Sequence, residues 1–300
     1  MMRRPDFLII GAMKAGTTTL HRDLSQHPQV FLSDPKEPND LVSDDVLTDK
    51  GLQAYTGLFA GARPDQLCGE ASTTYTREPR HAGAAARALQ VCGPNLKLIY
   101  IVRDPFERAV SHYRYAFLRG RTNRAPEMEL IENPEYAQVS DYATQLAPWR
   151  SRFGDDAILI VNFRDYIKAR KETVTEVLRF LGLDATNIDY DVSQRFNASD
   201  EVRVSRGFVE KLTSSPAFQR SLKPLLGPTL RRFGKAALLR RGDEPPPVPV
   251  DTAFRQRFEK AIAPESANLA KMAFVSQLSS RRMELVEAPG NSKDMDDGRV

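Results

Sequence analysis

Residues 5–20, PDFLIIGAMKAGTTTL, decide the fold of this chain. The apolar run of residues 7–10 is the pattern of a strand buried on both faces of a parallel sheet. Residues 11–16 are mostly small around the single cation Lys14, and the hydroxyls of Thr17, Thr18 and Thr19 then begin a helical pattern. The stretch predicts a strand, an anion-binding loop and a helix N-terminus, where backbone N–H groups, the helix dipole and Lys14 favour an anion.

The position of the lysine indicates which kind of anion loop this is. A nucleotide-hydrolysing P-loop reads G-x-x-x-x-G-K-[ST], with the lysine after the second glycine. Here Thr17 stands in that place and Lys14 comes before Gly16. The form K-x-G-T-T at the end of a first strand resembles the 5′-phosphosulfate loop of sulfotransferases that use 3′-phosphoadenosine 5′-phosphosulfate (PAPS). An ordinary turn with a surface lysine is the simpler alternative.

A second anion motif follows the buried-strand pattern of residues 96–102, LKLIYIV. This strand runs into Arg103, and Ser111 lies about two turns along the helix predicted after it. Arg103 offers a bidentate fork and Ser111 a short hydroxyl donor to one phosphate. The string KLIYIVRDPFERAVSHY resembles the 3′-phosphate motif of the same sulfotransferases. A nucleotide hydrolase would place a magnesium-binding aspartate at such a strand end.

Two more segments resemble those of the heparan sulfate N- and 3-O-sulfotransferases. Residues 34–38, DPKEP, match a P-K-E segment, which implies that Lys36 lies near the transferred group; residues 39–41, NDL, depart from the aromatics usual there. Residues 69–75, GEASTTY, resemble the segment that supplies the catalytic glutamate, which implies that Glu70 is the general base. Without the resemblance, Lys36 would be a solvated loop lysine and Glu70 a capping or ion-pairing residue.

Together these motifs resemble a PAPS-dependent sulfotransferase over about residues 5–278. The resemblance implies an α/β fold with a P-loop-like parallel sheet flanked by helices, and transfer of a sulfuryl group to a hydroxyl or amine of a carbohydrate, lipid or secondary-metabolite acceptor. It implies PAPS as cofactor, adenosine 3′,5′-bisphosphate as product and no required metal. The implied catalytic residues are Glu70, Lys14 and Lys36, and the implied cofactor-binding residues are Lys14, Ala15, Gly16, Thr17, Thr18, Thr19, Arg103 and Ser111.

Two alternatives from other functional classes remain open from the sequence. A small-molecule kinase would use the same loop with ATP, and a non-catalytic adenosine-bisphosphate-binding module would bind the ligand without turnover. His21 and His112 lie on predicted helices, where a solvated or core role is favoured over that of a base. Later patterns predict a helix over residues 142–153, a strand over 157–162 and a helix that stops at Gly182.

Length and composition favour one domain. A chain of 300 residues with 41% hydrophobic content can bury a large core, and we expect the domain to cover residues 1–285 before a disordered polar tail over 286–300. A formal charge of +4 is too mild to indicate nucleic acid. Because no signal peptide or long apolar run is found, we expect a cytoplasmic protein. Two cysteines without a C-x-x-C motif favour neither a metal site nor a disulfide framework.

Residues 203–241 form a basic amphipathic segment, in which ten lysines and arginines face a single acid, Glu210. We expect it to be a lid over the anionic cofactor, and a solvated face or a membrane-surface contact are the alternatives. The lid segment ends in the proline-rich residues 244–250, and residues 252–271 predict a closing helix. The sequence does not predict the oligomeric state.

Overall fold

The computed structural model describes residues 2–185, 203–204, 240–241 and 244–271. Five strands form its central parallel sheet: β1 Phe7–Gly11, β2 Val30–Leu32, β3 Leu67–Ala71, β4 Lys97–Val102 and β5 Ile158–Asn162. They lie in the order β2-β3-β1-β4-β5. The short strands β6 Arg203–Val204 and β7 Arg240–Arg241 pair antiparallel. Since the chain order changes direction at β1, its carboxyl end marks the switch point where open α/β sheets bind ligands.

Helices connect and cover the strands of this sheet. They are α1 Thr17–Leu24, α2 Asp49–Gly57, α3 Ala84–Cys92, α4 Pro105–Leu118, α5 Pro126–Glu132, α6 Glu135–Ser140, α7 Tyr142–Phe153, α8 Phe163–Lys168, α9 Arg170–Leu181, α10 Thr252–Glu259 and α11 Pro264–Lys271. Short 3-10 turns cover Asp40–Val42, Asp44–Leu47 and Thr73–Thr76. Of the described helices, none is both long and apolar enough to cross a bilayer.

The sheet forms the core because its strands are mostly apolar and buried. Every residue of β1 and β5 is buried, and so is every residue of β4 after Lys97. Strands buried on both faces carry continuous apolar runs, which is why the sequence pattern predicts them correctly. Helix α9 also ends as predicted, since Gly182 takes a left-handed conformation at φ 84° that favours glycine.

A second apolar cluster lies beside the sheet, between helices α4, α5, α6 and α10. The ring of Phe106 on α4 meets the rings of Phe254 and Phe258 on α10 edge-on, at centroid distances of 5.9 and 5.7 Å. Arg255 on α10 also pairs with Asp104, the residue that caps α4. Helix α10 therefore packs against the beginning of α4, which follows the second anion motif.

The predicted closing helix over residues 252–271 is wrong as a single element. The structure has two helices there, because Pro264 opens α11 and a residue before proline is disfavoured in the helical conformation. The lid expected over residues 203–241 lies outside the described residues apart from β6 and β7. The tail expected over 286–300 lies outside them as well, and the predicted domain limits stay a prediction.

Candidate active site

The loop between β1 and α1 has the form that the sequence predicts for anion binding. Gly16 caps α1 with φ 97°, and the N–H groups of Gly16, Thr17 and Thr18 meet no acceptor within the described part of the chain. At Gly11 a side chain is excluded, because a Cβ atom would lie 2.4 Å from the Thr76 hydroxyl oxygen. Free N–H groups at a helix N-terminus form a cradle for a phosphate or sulfate oxygen.

Lys14 lies in this loop in a left-handed conformation, φ 69°, which is costly for a residue with a side chain. Its ammonium group lies 4.4 Å from the centre of the Tyr115 ring on α4. Burial, followed by the charge of Arg103 and of two other arginines, lowers the pKa of Lys14 to about 8. Cations that repel one another at one place indicate a site for an anionic ligand.

Arg103 brings the second motif to the same loop. It follows β4, which lies directly beside β1 in the sheet. Its guanidinium donates to the backbone carbonyl of Lys14 at 3.5 Å and lies 4.8 Å from the centre of the Phe163 ring. The same group pairs with Glu107 at 3.3 Å, one turn into α4. Ser111 lies half-buried one further turn along. The structure therefore places the two predicted anion motifs at adjacent strand ends.

Lys36 lies next to a carboxylate that sequence reasoning missed. Its ammonium group contacts Glu37 at 2.9 Å, and Glu37 also accepts from the Thr73 hydroxyl at 3.3 Å. The Glu37 side chain is 41% exposed, and its charge acts on Lys14 and Arg77 in the direction that raises their pKa values. Glu37 therefore presents an accessible carboxylate beside Lys36. Its sequence signal is the glutamate of the P-K-E segment itself, which directly follows Lys36.

Glu70, the residue predicted to be the general base, lies on β3 in the core. It points from β3 into the core with no solvent exposure. Its carboxylate accepts hydrogen bonds from Tyr55 at 2.9 Å, Tyr75 at 2.6 Å and Ser72 at 3.2 Å. Burial raises the pKa of Glu70 to about 7, and the three hydroxyl donors oppose that rise. The Glu70 carboxylate is therefore closed off from solvent, whereas the carboxylate of Glu37 is exposed.

Arg108 is a further residue that sequence reasoning did not single out. It has no solvent exposure and donates to the Ser140 hydroxyl at 2.7 Å, the carbonyl of Tyr136 at 2.8 Å and the carbonyl of Met13 at 3.4 Å. Burial lowers the pKa of Arg108 to about 10. Arg108, on α4, thus connects the anion loop to α6 and places a buried positive charge beside the loop.

The two histidines near these segments accept a proton poorly, so both are weak general bases. His112 is 6% exposed and its ring lies 4.7 Å from that of Tyr136. Burial, reinforced by nearby arginines, holds the pKa of His112 well below its usual value. Burial and the charge of Lys36 lower the pKa of His21 to about 4. The core role expected for a helical histidine fits His112.

Residues that could hold a metal are not grouped at this site. In the described part of the chain no three histidine, cysteine, aspartate or glutamate side chains lie close enough to ligate one ion. Asp104, the acid nearest to the end of β4, caps α4 by accepting from the N–H of Glu107 at 3.0 Å and pairs with Arg255. Cys68 and Cys92 are free thiols.

Comparison with known proteins agrees with this geometry. The protein-family model of the sulfotransferase domain matches residues 4–204 of this chain. A membrane-associated sulfotransferase, kil1, from Dictyostelium discoideum is 33% identical over 129 residues, which are 42% of this chain and 26% of that protein. The heparan sulfate glucosamine 3-O-sulfotransferase 3B1 from Mus musculus is 31% identical over 190 residues, 60% of this chain and 46% of that protein. The chain thus spans between about a quarter and a half of these relatives' length.

A solved structure supports the fold as well. The sulfotransferase from Alicyclobacillus acidocaldarius is 27% identical and superposes with a TM-score of 0.57, covering 65% of this chain and 87% of that one. The resemblance and the α/β fold predicted from the two anion motifs are thereby confirmed. The chain belongs to the sulfotransferase domain family.

Proposed function

We propose that this chain moves a sulfuryl group from PAPS to a hydroxyl or amine of an acceptor. The observation that carries the proposal is the contact of Arg103 with the carbonyl of Lys14. It joins two anion-binding elements at neighbouring strand ends, as a ligand with phosphates on both its 3′ and 5′ positions requires. At the end of β4, where a nucleotide hydrolase needs a metal-binding acid, the residue is a cation.

The residues of the site fit this ligand. The free N–H groups of the loop and the ammonium of Lys14 suit the 5′-phosphosulfate, and Thr17, Thr18 and Thr19 open the helix beside them. Arg103 at the end of β4, with Ser111 on α4, suits the 3′-phosphate. PAPS, when bound, supplies the sulfuryl group and leaves as adenosine 3′,5′-bisphosphate.

The chain's own residues then have two tasks in the transfer. Lys14 would neutralise the charge that develops on the phosphate of bound PAPS, and Lys36 would offer a second positive charge to the sulfuryl group. A general base must take the proton of the acceptor as its oxygen or nitrogen bonds to sulfur. Glu37 fits this second task, because its carboxylate is 41% exposed and contacts the ammonium group of Lys36 at 2.9 Å.

The assignment of Glu70 as the base stays a prediction, but its surroundings favour Glu37. A general base must come within hydrogen-bond reach of the acceptor, whereas the Glu70 carboxylate is fully buried and already accepts three hydroxyl hydrogens. The acceptor as a carbohydrate, lipid or secondary metabolite and the cytoplasmic location also stay predictions.

Transfer from sulfur-labelled PAPS to a panel of hydroxyl and amine acceptors tests this proposal. Glu37→Gln should lower turnover by about 10² to 10⁴, and affinity for adenosine 3′,5′-bisphosphate should stay nearly unchanged. Glu176→Gln, a matched change of a carboxylate that pairs with Arg179 on α9, should behave like the unaltered chain. Full turnover of the Glu37 variant would remove Glu37 as base, and transfer of phosphate from ATP instead of sulfate would overturn the function.

A further inference from the structure

The segment that carries Glu37 is held in an unusual backbone conformation. We call residues 33–43, SDPKEPNDLVS, the PKE segment. Glu37 and Asn39 both have positive φ values, 59° and 63°, although neither is glycine. Such conformations cost free energy and persist only where the surroundings fix them. What fixes this segment therefore decides where the Glu37 carboxylate points.

Four backbone N–H groups tie the PKE segment to β3 and the turn after it. Those of Ser33 and Glu37 donate to the carbonyls of Gly69 and Ala71, both at 3.0 Å. The other two donate to side-chain oxygens. Asn39 donates to the Ser72 hydroxyl at 3.3 Å and Leu41 to the Tyr75 hydroxyl at 3.4 Å. The last two ties hold the half of the segment that follows Glu37.

Both hydroxyls that receive these N–H groups give their own hydrogen to Glu70. Tyr75 donates to Glu70 Oε1 at 2.6 Å and Ser72 to Oε2 at 3.2 Å. A hydroxyl has a single hydrogen to donate. With that hydrogen directed at the carboxylate, the oxygen presents only lone pairs toward the PKE segment. An ionised carboxylate accepts hydrogen bonds and donates none, so it fixes the direction of both hydroxyls.

We propose that Glu70 is a positioning residue, which orients the Ser72 and Tyr75 hydroxyls so that they hold the PKE segment and, with it, the exposed carboxylate of Glu37. We call these hydrogen bonds, from Glu70 through Ser72 and Tyr75 to the backbone of Asn39 and Leu41, the relay. The relay explains why a carboxylate lies at a position with no solvent exposure and with hydroxyl donors on both its oxygens. The effect of the relay on turnover rests on the proposed function, whereas its hydrogen bonds do not depend on that function.

A glutamine at position 70 tests the relay because it keeps the shape and replaces one acceptor oxygen by a donor. Its NH₂ group would compete for a lone pair of Ser72 or Tyr75. Hydrogen exchange of backbone amides at pH 8 reports the outcome without any acceptor. In Glu70→Gln the amides of Asn39 and Leu41 should exchange about 3- to 10-fold faster, while the amides of β1 and β5 keep their protection.

Three hydroxyl deletions separate the relay from a general loss of stability. Tyr75→Phe should speed exchange mainly at Leu41, and Ser72→Ala mainly at Asn39. Tyr55→Phe is the matched control, because Tyr55 donates to the same carboxylate at 2.9 Å and has no bond to the PKE segment. It should leave both amides close to their original rates. If Glu70→Gln fails to fold, these three variants still show whether the Ser72 and Tyr75 hydroxyls hold the PKE segment.

The relay is overturned if Glu70→Gln leaves exchange at Asn39 and Leu41 unchanged, or if Tyr55→Phe speeds it as much as Tyr75→Phe does. In the transfer assay, Glu70→Gln and Tyr75→Phe should lower kcat while the KM for PAPS stays nearly constant, since the cofactor loop is untouched. If amide exchange changes as expected but the unaltered chain transfers no sulfuryl group, the relay is supported and only the proposed function is refuted.

Discussion

The ammonium group of Lys14 lies 4.4 Å from the centre of the Tyr115 ring, so a residue of the first anion loop contacts the helix of the second anion motif. Two more cations, Arg119 and Arg121, lie 5.3 and 5.6 Å from the same ring centre. The face of an aromatic ring attracts cations. Positive charges gathered around one ring favour an anionic ligand, and burial together with the charges of Arg103 and Arg119 lowers the pKa of Lys14 to about 8.

Binding of adenosine 3′,5′-bisphosphate should therefore take up a proton above pH 8. In the free protein Lys14 is partly deprotonated there, and a bound phosphate favours the charged ammonium. Calorimetric titration at pH 8.5 in two buffers of different ionisation enthalpy measures this uptake. Lys14→Met should abolish it and Lys171→Met, on the exposed face of α9, should not. Equal uptake in the Lys14 variant would contradict the assignment.

Gly16→Ala should disturb the anion loop through its backbone. Gly16 has φ 97°, and an added Cβ atom would lie 3.0 Å from the ring of Phe163. We expect a loss of about 1–3 kcal/mol in the free energy of unfolding, together with weaker bisphosphate binding. Gly57→Ala is the control, because nothing lies within 4 Å of its added Cβ atom. Urea denaturation compares the two, and equal stability of both variants would refute the strain at Gly16.

The charge of Glu70 should make stability depend on pH. Its folded-state pKa of about 7 lies above the ordinary value of 4.5, so the folded protein holds more protons between these pH values. The contribution of protonated Glu70 is complete below pH 4.5 and is lost as pH rises through 7. Relative to the original chain, Glu70→Gln should therefore gain about 3 kcal/mol between pH 4.5 and pH 8. Parallel stability curves for the two proteins would argue against a raised pKa.

Arg103→Ala should weaken bisphosphate binding more than Ser111→Ala does. The guanidinium offers a charge-assisted fork to a phosphate, whereas the serine offers one neutral donor. We expect losses of about 10- to 100-fold and about 3- to 10-fold in affinity. Arg152→Ala, at the exposed end of α7, is the control and should bind normally. A larger loss at Ser111 would reverse the roles that we give to these two residues.

The parallel sheet and its two anion motifs were predictable because their signals are local. Strands such as β1, β4 and β5 are buried on both faces, which leaves apolar runs that need no knowledge of neighbours. The anion motifs combine a strand end with glycine, cations and hydroxyls within a few residues. Each of these motifs could therefore be recognised from one short stretch.

The two glutamates were harder to place because their surroundings come from distant parts of the chain. Glu70 is buried by Tyr55 on α2 and by the turn that contains Tyr75, and no local pattern shows that both hydroxyls reach one carboxylate. Glu37 is exposed because the segment after β2 crosses the end of β3. Only the backbone hydrogen bonds of that segment to Gly69 and Ala71, far along the chain, show this course.

The most direct test of the central claim, that the site holds a PAPS-type ligand, is the melting temperature with adenosine 3′,5′-bisphosphate in EDTA, compared with Mg-ATP. A ligand present at a hundredfold excess over its dissociation constant stabilises the folded state by about 2.7 kcal/mol. We predict that the bisphosphate raises the melting temperature without magnesium and that Mg-ATP at the same concentration raises it much less. Equal or greater stabilisation by Mg-ATP would contradict the account.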